Sequence, residues 1–272
     1  MMKHAFVRAA LGAALALALP MAAQAHKMWM VPSATVVSGD DAWVTVDAAV
    51  SNELYYPDHF PAQLDQLVIT APDGSTVQAE NENKGKYRST FDLAVPQKGT
   101  YRIALVNQGV FATYELDGQK KRWRGNATDL KAGLPANAKN VEVNEMASRV
   151  ETFVTQGSPS TGALKPTGKG MELVPVTAPN DLVSGEKATF QLLVDGKPAA
   201  DVKVVAIDGG TRYRNAQDEM DTTTDKDGKF SFTWPAAGMY WVNASAEDKK
   251  TSTKEAKQRR LGYTATLEVL PQ

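Results

Sequence analysis

Phe91-Asp92-Leu93-Ala94-Val95-Pro96, followed by Gly99, Tyr101 and Ile103, recurs at one constant offset and without a gap. Its echo is Phe230-Ser231-Phe232-Thr233-Trp234-Pro235 with Gly238, Tyr240 and Val242. Apolar and polar residues alternate in both copies, as a strand with one buried face requires. Pro-x-x-Gly-x-Tyr then reads as a tight turn feeding a strand that carries an inward aromatic. A second echo lies upstream: Val31-Pro32, Val37-Ser38-Gly39-Asp40 and Trp43-Val44-Thr45-Val46 match Val174-Pro175, Val183-Ser184-Gly185-Glu186 and Thr189-Phe190-Gln191-Leu192. Unrelated segments rarely share so many anchors, so the pattern implies two tandem copies of one β unit.

Working outward, Pro72-Asp73-Gly74, Asp195-Gly196 and Asp225-Lys226-Asp227-Gly228 punctuate the alternating runs as turns. Short strands, frequent turns and few helical runs predict an all-β chain of two immunoglobulin-like or transthyretin-like sandwiches. The expected units are 26–156, with an insertion, and 172–272, joined by a Gly/Ser/Pro-rich linker over 157–171. Gly168-Lys169 in that linker is not a phosphate loop, since five residues separate Gly162 from Gly168 and no Ser or Thr follows the lysine. The insertion from Phe111 to Asn144 reads as a long polar excursion with one short helix. Asp248 to Arg260 reads as a solvated charged run. Trp29, Trp43, Trp234 and Trp241 are expected in cores, and Trp123, between two arginines, at the surface.

The start of the chain differs from the rest. Lys3 and Arg8 precede an apolar run from Ala9 to Leu19, then Pro20 and the small-x-small site Ala23-Gln24-Ala25. That run is shorter than the roughly 20 residues a membrane span needs, so residues 1–25 read as a cleaved export signal and the mature chain as periplasmic. An uncleaved anchor on the same residues is the alternative. The chain has 30 basic and 31 acidic residues; losing Lys3 and Arg8 takes two from the basic total and leaves a net charge of -3. Such a surface does not seek nucleic acid or anionic lipid. With no cysteine, the protein needs no disulfide and offers no thiolate ligand or nucleophile.

Cleavage after Ala25 would make His26 the first residue. A first-position histidine offers a metal two nitrogens, its α-amine and its ring, and the low reference pKa of an α-amine, about 7.7 to 8.0, lets an ion displace its proton near neutral pH. The chain has three histidines, and His4 leaves with the signal, so only His59 can supply a second imidazole. Three nitrogens suit Cu(II) or Ni(II). Pro57 and Pro61 stiffen the loop around His59, and Asp58 offers an oxygen ligand or a hydrogen bond to the ring. If the first strand is extended, His26, Met28 and Met30 share a face. Thioethers there would favour Cu(I), while methionines filling a core is the commoner arrangement.

The segments His26-x-x-Trp29-x-x-Pro32, Glu151-Thr152-Phe153-Val154-Thr155, Lys165 to Pro175, Gly209-Gly210-Thr211-Arg212-Tyr213-Arg214 and Trp234-Pro235-x-x-Gly-Met-Tyr-Trp241, in that order, resemble the exported family called domain of unknown function 4198. The resemblance covers essentially the whole mature chain. It implies similarity to periplasmic components of cobalt and nickel uptake systems, and hence a metal-handling accessory with a membrane transporter as partner. Only His26 is carried over as a family-motif position. No catalytic constellation is legible: there is no Gly-x-Ser-x-Gly elbow, and paired carboxylates such as Asp40-Asp41 fall in apparent turns. The expected function is transition-metal binding (nickel, cobalt or copper) through His26, His59 and Asp58. The alternatives are a copper enzyme cleaving polysaccharide oxidatively, which an amine-plus-two-imidazole site also suits, and a non-catalytic adhesion or scaffold protein.

Overall fold

The alternating runs become strands throughout the computed structural model, which describes residues 26–272; the export signal expected over 1–25 lies outside the described residues. The first half contributes β1 (Lys27–Pro32), β2 (Val36–Val37), β3 (Trp43–Ser51), β4 (Phe60–Pro61), β5 (Leu67–Thr70), β6 (Thr76–Val77), β7 (Glu80–Lys84) and β8 (Ser89–Ala94). Three more strands follow: β9 (Gly99–Leu116), β10 (Gln119–Gly125) and β11 (Lys139–Gln156). In the second half are β12 (Met171–Pro175), β13 (Lys187–Val194), β14 (Lys197–Pro198), β15 (Lys203–Asp208), β16 (Met220–Thr223), β17 (Lys229–Thr233), β18 (Gly238–Asp248) and β19 (Ala256–Val269).

One large sheet crosses both halves in the order β16-β15-β18-β19-β11-β9-β5-β6. Each half adds a small sheet of its own, β1-β3-β8-β7 in the first and β12-β13-β14 with β17 in the second. At the centre β11 and β19, each paired antiparallel with its half's Pro-x-x-Gly-x-Tyr strand, pair with one another in parallel, with Arg149 beside Tyr263 and Glu151 beside Ala265. Because the strands run outward from this parallel pair in mirrored order, β19-β18-β15 on one side and β11-β9-β5 on the other, the halves are related by a half-turn about the strand direction, which exchanges the faces of the sheet. The small sheets therefore cover opposite faces of the large one.

Core composition follows that rule. In the first half Met30, Val46, Phe91 and Leu93 of the small sheet meet Ile69, Tyr101, Ile103, Val150 and Val154 of the large one. In the second half Leu173, Phe190 and Phe232 meet Val204, Tyr240, Val242, Tyr263 and Leu267. Alternate residues of β11 serve the two packs, Val150 and Val154 one way and Phe153 the other, because successive side chains point to opposite faces. Each half also closes its turn with a tyrosine: Gln97 N donates to Tyr101 Oη at 2.8 Å, and Tyr240 Oη donates to the Ala236 carbonyl at 2.9 Å. The residues joined occupy equivalent places in the repeat.

Residues 157–171 are packed rather than free. A short 3-10 turn at Gly162–Leu164 buries Ala163 and Leu164, and Ser160 exchanges hydrogen bonds with Thr100. Thr167, Gly168 and Lys169 direct their backbone N–H groups onto the carboxylate of Glu172 at 2.8, 2.7 and 3.3 Å, and the Thr167 hydroxyl adds a fourth bond at 2.8 Å. The Gly-Lys loop thus forms an anion nest, filled by the chain's own glutamate.

The tryptophans divide differently from the sequence expectation. Trp29 and Trp234 are core residues, but Trp43 is 44% exposed, because it lies on the solvent side of β3. Trp123 is half-buried: β10 folds back along β9, and its indole packs with Val110, Ala112, Leu130 and Val143 in a small separate core. A Cβ at Gly133, at the end of the short helix Leu130–Gly133, would come within 2.1 Å of that indole.

The charged run from Asp248 to Arg260 also differs, since β19 is a central strand. Arg259 donates to Asp195 at 2.7 Å and to Asp248 at 2.6 Å, tying the β13-β14 turn to the large sheet. The hydrogen bonds from Arg259 hold both carboxyls below the ordinary aspartate range. Groups with lowered folded values stabilise the protein fully above the unfolded value and lose that contribution as pH falls through the folded one. Urea unfolding midpoints should therefore drop below about pH 4. Arg259→Met should lower the midpoint at pH 6 and flatten its acid dependence; an unchanged acid slope would refute this assignment.

Candidate functional site

His26 and His59 are 33 residues apart in sequence, yet their ring centroids are 3.8 Å apart with planes tilted by 32°. Register accounts for the meeting. β1 flanks β3 on one side, with Lys27 beside Ser51, and β4 flanks it on the other, with Phe60 beside Val50. The residues just before β1 and β4 therefore stand either side of the end of β3, and both rings lean over it. Both histidines are exposed. Phe60 lies 4.6 Å from the His59 ring and backs the pair.

Three anchors hold the first strand and the histidine loop in place. Trp29 points away from the first core into the seam between the halves, where it packs with Ala49, Leu54 and Ile207, and its Nε1 donates to the buried Ser51 Oγ at 2.7 Å. Trp241 Nε1, from the second half, donates to the Met28 carbonyl at 3.0 Å. Leu54 N donates to Thr211 Oγ1 at 3.1 Å. Thr211 belongs to the Gly-Gly-Thr-Arg-Tyr-Arg segment, which Arg214 braces by donating to the carbonyls of Asp208 and Gly209 at 2.6 Å each. Gly209 carries no side chain because a Cβ would touch the Tyr55 ring at 3.0 Å and the Met239 carbonyl at 3.1 Å. Next in the loop, Tyr56 carries the Arg212 guanidinium 3.9 Å above its ring.

Asp58 has a different task. Its Oδ1 accepts from Asn52 N at 2.9 Å and its Oδ2 from Asn52 Nδ2 at 3.4 Å, which closes the loop between β3 and β4. Among the described residues no three His, Asp or Glu side chains group closely enough to hold an ion, so the structure brings His26 and His59 together and leaves Asp58 out of the cluster. Met30 is fully buried in the first core and Met28 packs against the same core. Thr211, Trp241 and Asn52 were not singled out by sequence as site residues. Their only sequence signal is that Thr211 and Trp241 fall in the family-like segments.

A cleft of about 510 Å³ opens beside His26, between β1 and the uncovered face of the second half, lined by Lys27, Met28, Glu219, Trp241 and Asn243. Burial lowers the Lys27 pKa, while Glu219 and Glu53 counter by favouring its charge. Chemically, two neutral imidazoles are borderline-soft nitrogen donors of the type zinc, copper and nickel take. Bonds of about 2.0–2.1 Å place two ligating nitrogens no more than about 4 Å apart, and the ring centroids here are 3.8 Å apart.

No curated protein matches this chain. Among solved structures it aligns with the D0-D1 domain of Intimin at 12% identity and a TM-score of 0.22, over 89% of this chain and 97% of that one. The human OSCAR ligand-binding domain aligns at 13% identity and a TM-score of 0.21, over 90% and 99%. Trypsin-activated alpha-2-macroglobulin from Escherichia coli aligns at 12% and 0.22, over 92% of this chain but 16% of that one. Likenesses of this strength carry no functional argument. The family described as Domain of unknown function (DUF4198) matches residues 23–248, a span that takes in His26, His59 and every segment that anchors them, and the chain belongs to that family.

Proposed function

We propose that this protein binds a transition-metal ion, nickel, cobalt or copper, between the imidazoles of His26 and His59, and carries or buffers it for a membrane transporter. In this reading the chain is exported to the periplasm, cleavage after Ala25 frees the α-amine of His26 as a third nitrogen, and the two halves are tandem immunoglobulin-like units. One observation supports it above all: the two histidines that would outlast cleavage, of three in the chain, lie ring against ring. The paired closing tyrosines support the immunoglobulin-like reading, because a tyrosine bonded to backbone a few residues upstream marks that sandwich.

The test is calorimetric titration of the chain beginning at His26 with Ni(II), Co(II) and Cu(II), beside a form carrying one extra residue before His26. At least one ion should bind the first form tightly. His59→Ala should weaken that binding on the order of 100-fold or more, beyond the loss typical of a supporting residue, and the extension should weaken it comparably. Equal binding by the extended form removes the amine from the site; equal binding by His59→Ala removes the paired imidazoles.

A further inference from the structure

We propose that a second cleft, over Arg102 on the opposite face of the large sheet, binds a small organic carboxylate. The half-turn relating the two halves leaves one stretch of the large sheet uncovered on each face. The first is the cleft beside His26. Its counterpart, of about 530 Å³, lies over β5 and β9 of the first half, within the range typical of ligand sites. Aligning Val31-Pro32 with Val174-Pro175 sets Lys169 in the place of His26, so the two clefts share architecture but not chemistry.

Four cations line this cleft, Arg102, Arg149, Lys165 and Lys169, above an apolar floor that includes Val68 and Ala104. Two buried carboxylates stand near the guanidinium groups, but their oxygens are already engaged. Glu151 takes Arg149 Nη1 at 3.1 Å and Tyr263 Oη at 2.7 Å, and Glu172 takes the loop donors described above. Arg102 is only 7% exposed. Among the described residues it makes one hydrogen bond, from Nη1 to the Lys165 carbonyl at 3.2 Å, and a looser 3.8 Å ion pair with Glu151. Its remaining N–H groups are not among the sealed, unpartnered polar atoms, which lie on Tyr55, Gln156, Gln217, Trp234 and Thr266. They open onto the cleft. A guanidinium with an unused pair of donors matches a carboxylate, the two lysines add charge at the rim, and the apolar floor suits a hydrocarbon body rather than a bare inorganic ion.

The experiment is titration of the purified, metal-stripped chain at low ionic strength with hexanedioate and, separately, inorganic phosphate. Hexanedioate should bind with a dissociation constant below about 1 mM, more tightly than phosphate. Lys165→Ala/Lys169→Ala, which alters exposed side chains only, should weaken it about tenfold, and Arg102→Met should abolish it, while His26→Ala should leave it unchanged. Absence of saturable binding overturns the proposal, as does binding insensitive to the lysine pair. Phosphate binding more tightly would overturn the assignment to an organic acid. Loss of hexanedioate binding in His26→Ala would place the ligand in the other cleft. A failed metal titration leaves all these outcomes readable.

Discussion

Trp29→Ala is expected to lower the free energy of unfolding by about 3–5 kcal/mol and to loosen the paired histidines. The indole is 2% exposed and sits where the halves meet, edge-on to Tyr55 with 5.7 Å between ring centroids. Removing it leaves a cavity walled by Ala49, Leu54 and Ile207, and the sheet cannot close around such a void without shifting β1 against β3. Ser51 Oγ also loses its donor, although its own hydroxyl still reaches the Glu53 carbonyl. Trp29→Phe keeps most of the apolar contact and should cost about 1–2 kcal/mol. Urea unfolding measures both. Metal titration well below the unfolding transition then separates positioning from stability: Trp29→Ala should bind more weakly than Trp29→Phe even where both are folded. Equal affinity would mean that the seam does not set the histidine geometry.

Glu172→Leu should be comparably damaging, at about 3–5 kcal/mol. Glu172 is 1% exposed, accepts three backbone N–H groups and one hydroxyl, and lies 3.5 Å from Arg149 Nη2. Leucine fills similar space but strands those donors and removes one of the two carboxylates that balance a buried guanidinium. Glu172→Gln keeps an acceptor oxygen and the shape, so its cost should be smaller, about 1–3 kcal/mol. A loss below about 1 kcal/mol for the leucine variant would show that water replaces the carboxylate. It would also show that the Gly-Lys loop is not held from within.

Both residues belong to segments that stood out in the sequence, and the structure explains why those segments go together. Trp29, the Gly-Gly-Thr-Arg-Tyr-Arg loop and Trp241 converge on the strand and loop that carry His26 and His59. Glu151 and the Lys165 to Pro175 segment converge instead on the charged network under the second cleft. Each segment was visible as a motif, but its role was not, because the contacts of Thr211 with Leu54 and of Trp241 with Met28 cross from one half to the other.

Local pattern alone determined the all-β character, the repeat, the inward tyrosines and the scarcity of histidines, since alternation, turn residues and counts are properties of the chain read in order. It also singled out His26 and His59 as the pair to watch. Tertiary structure alone decided that two strands flanking β3 bring those rings together, that Asp58 serves Asn52 rather than the cluster, and that Arg259 of the charged run is an internal tie. The reason is that strand pairing and sheet stacking join residues far apart in sequence. Period-two alternation says which residues share a face, but not which strand lies alongside.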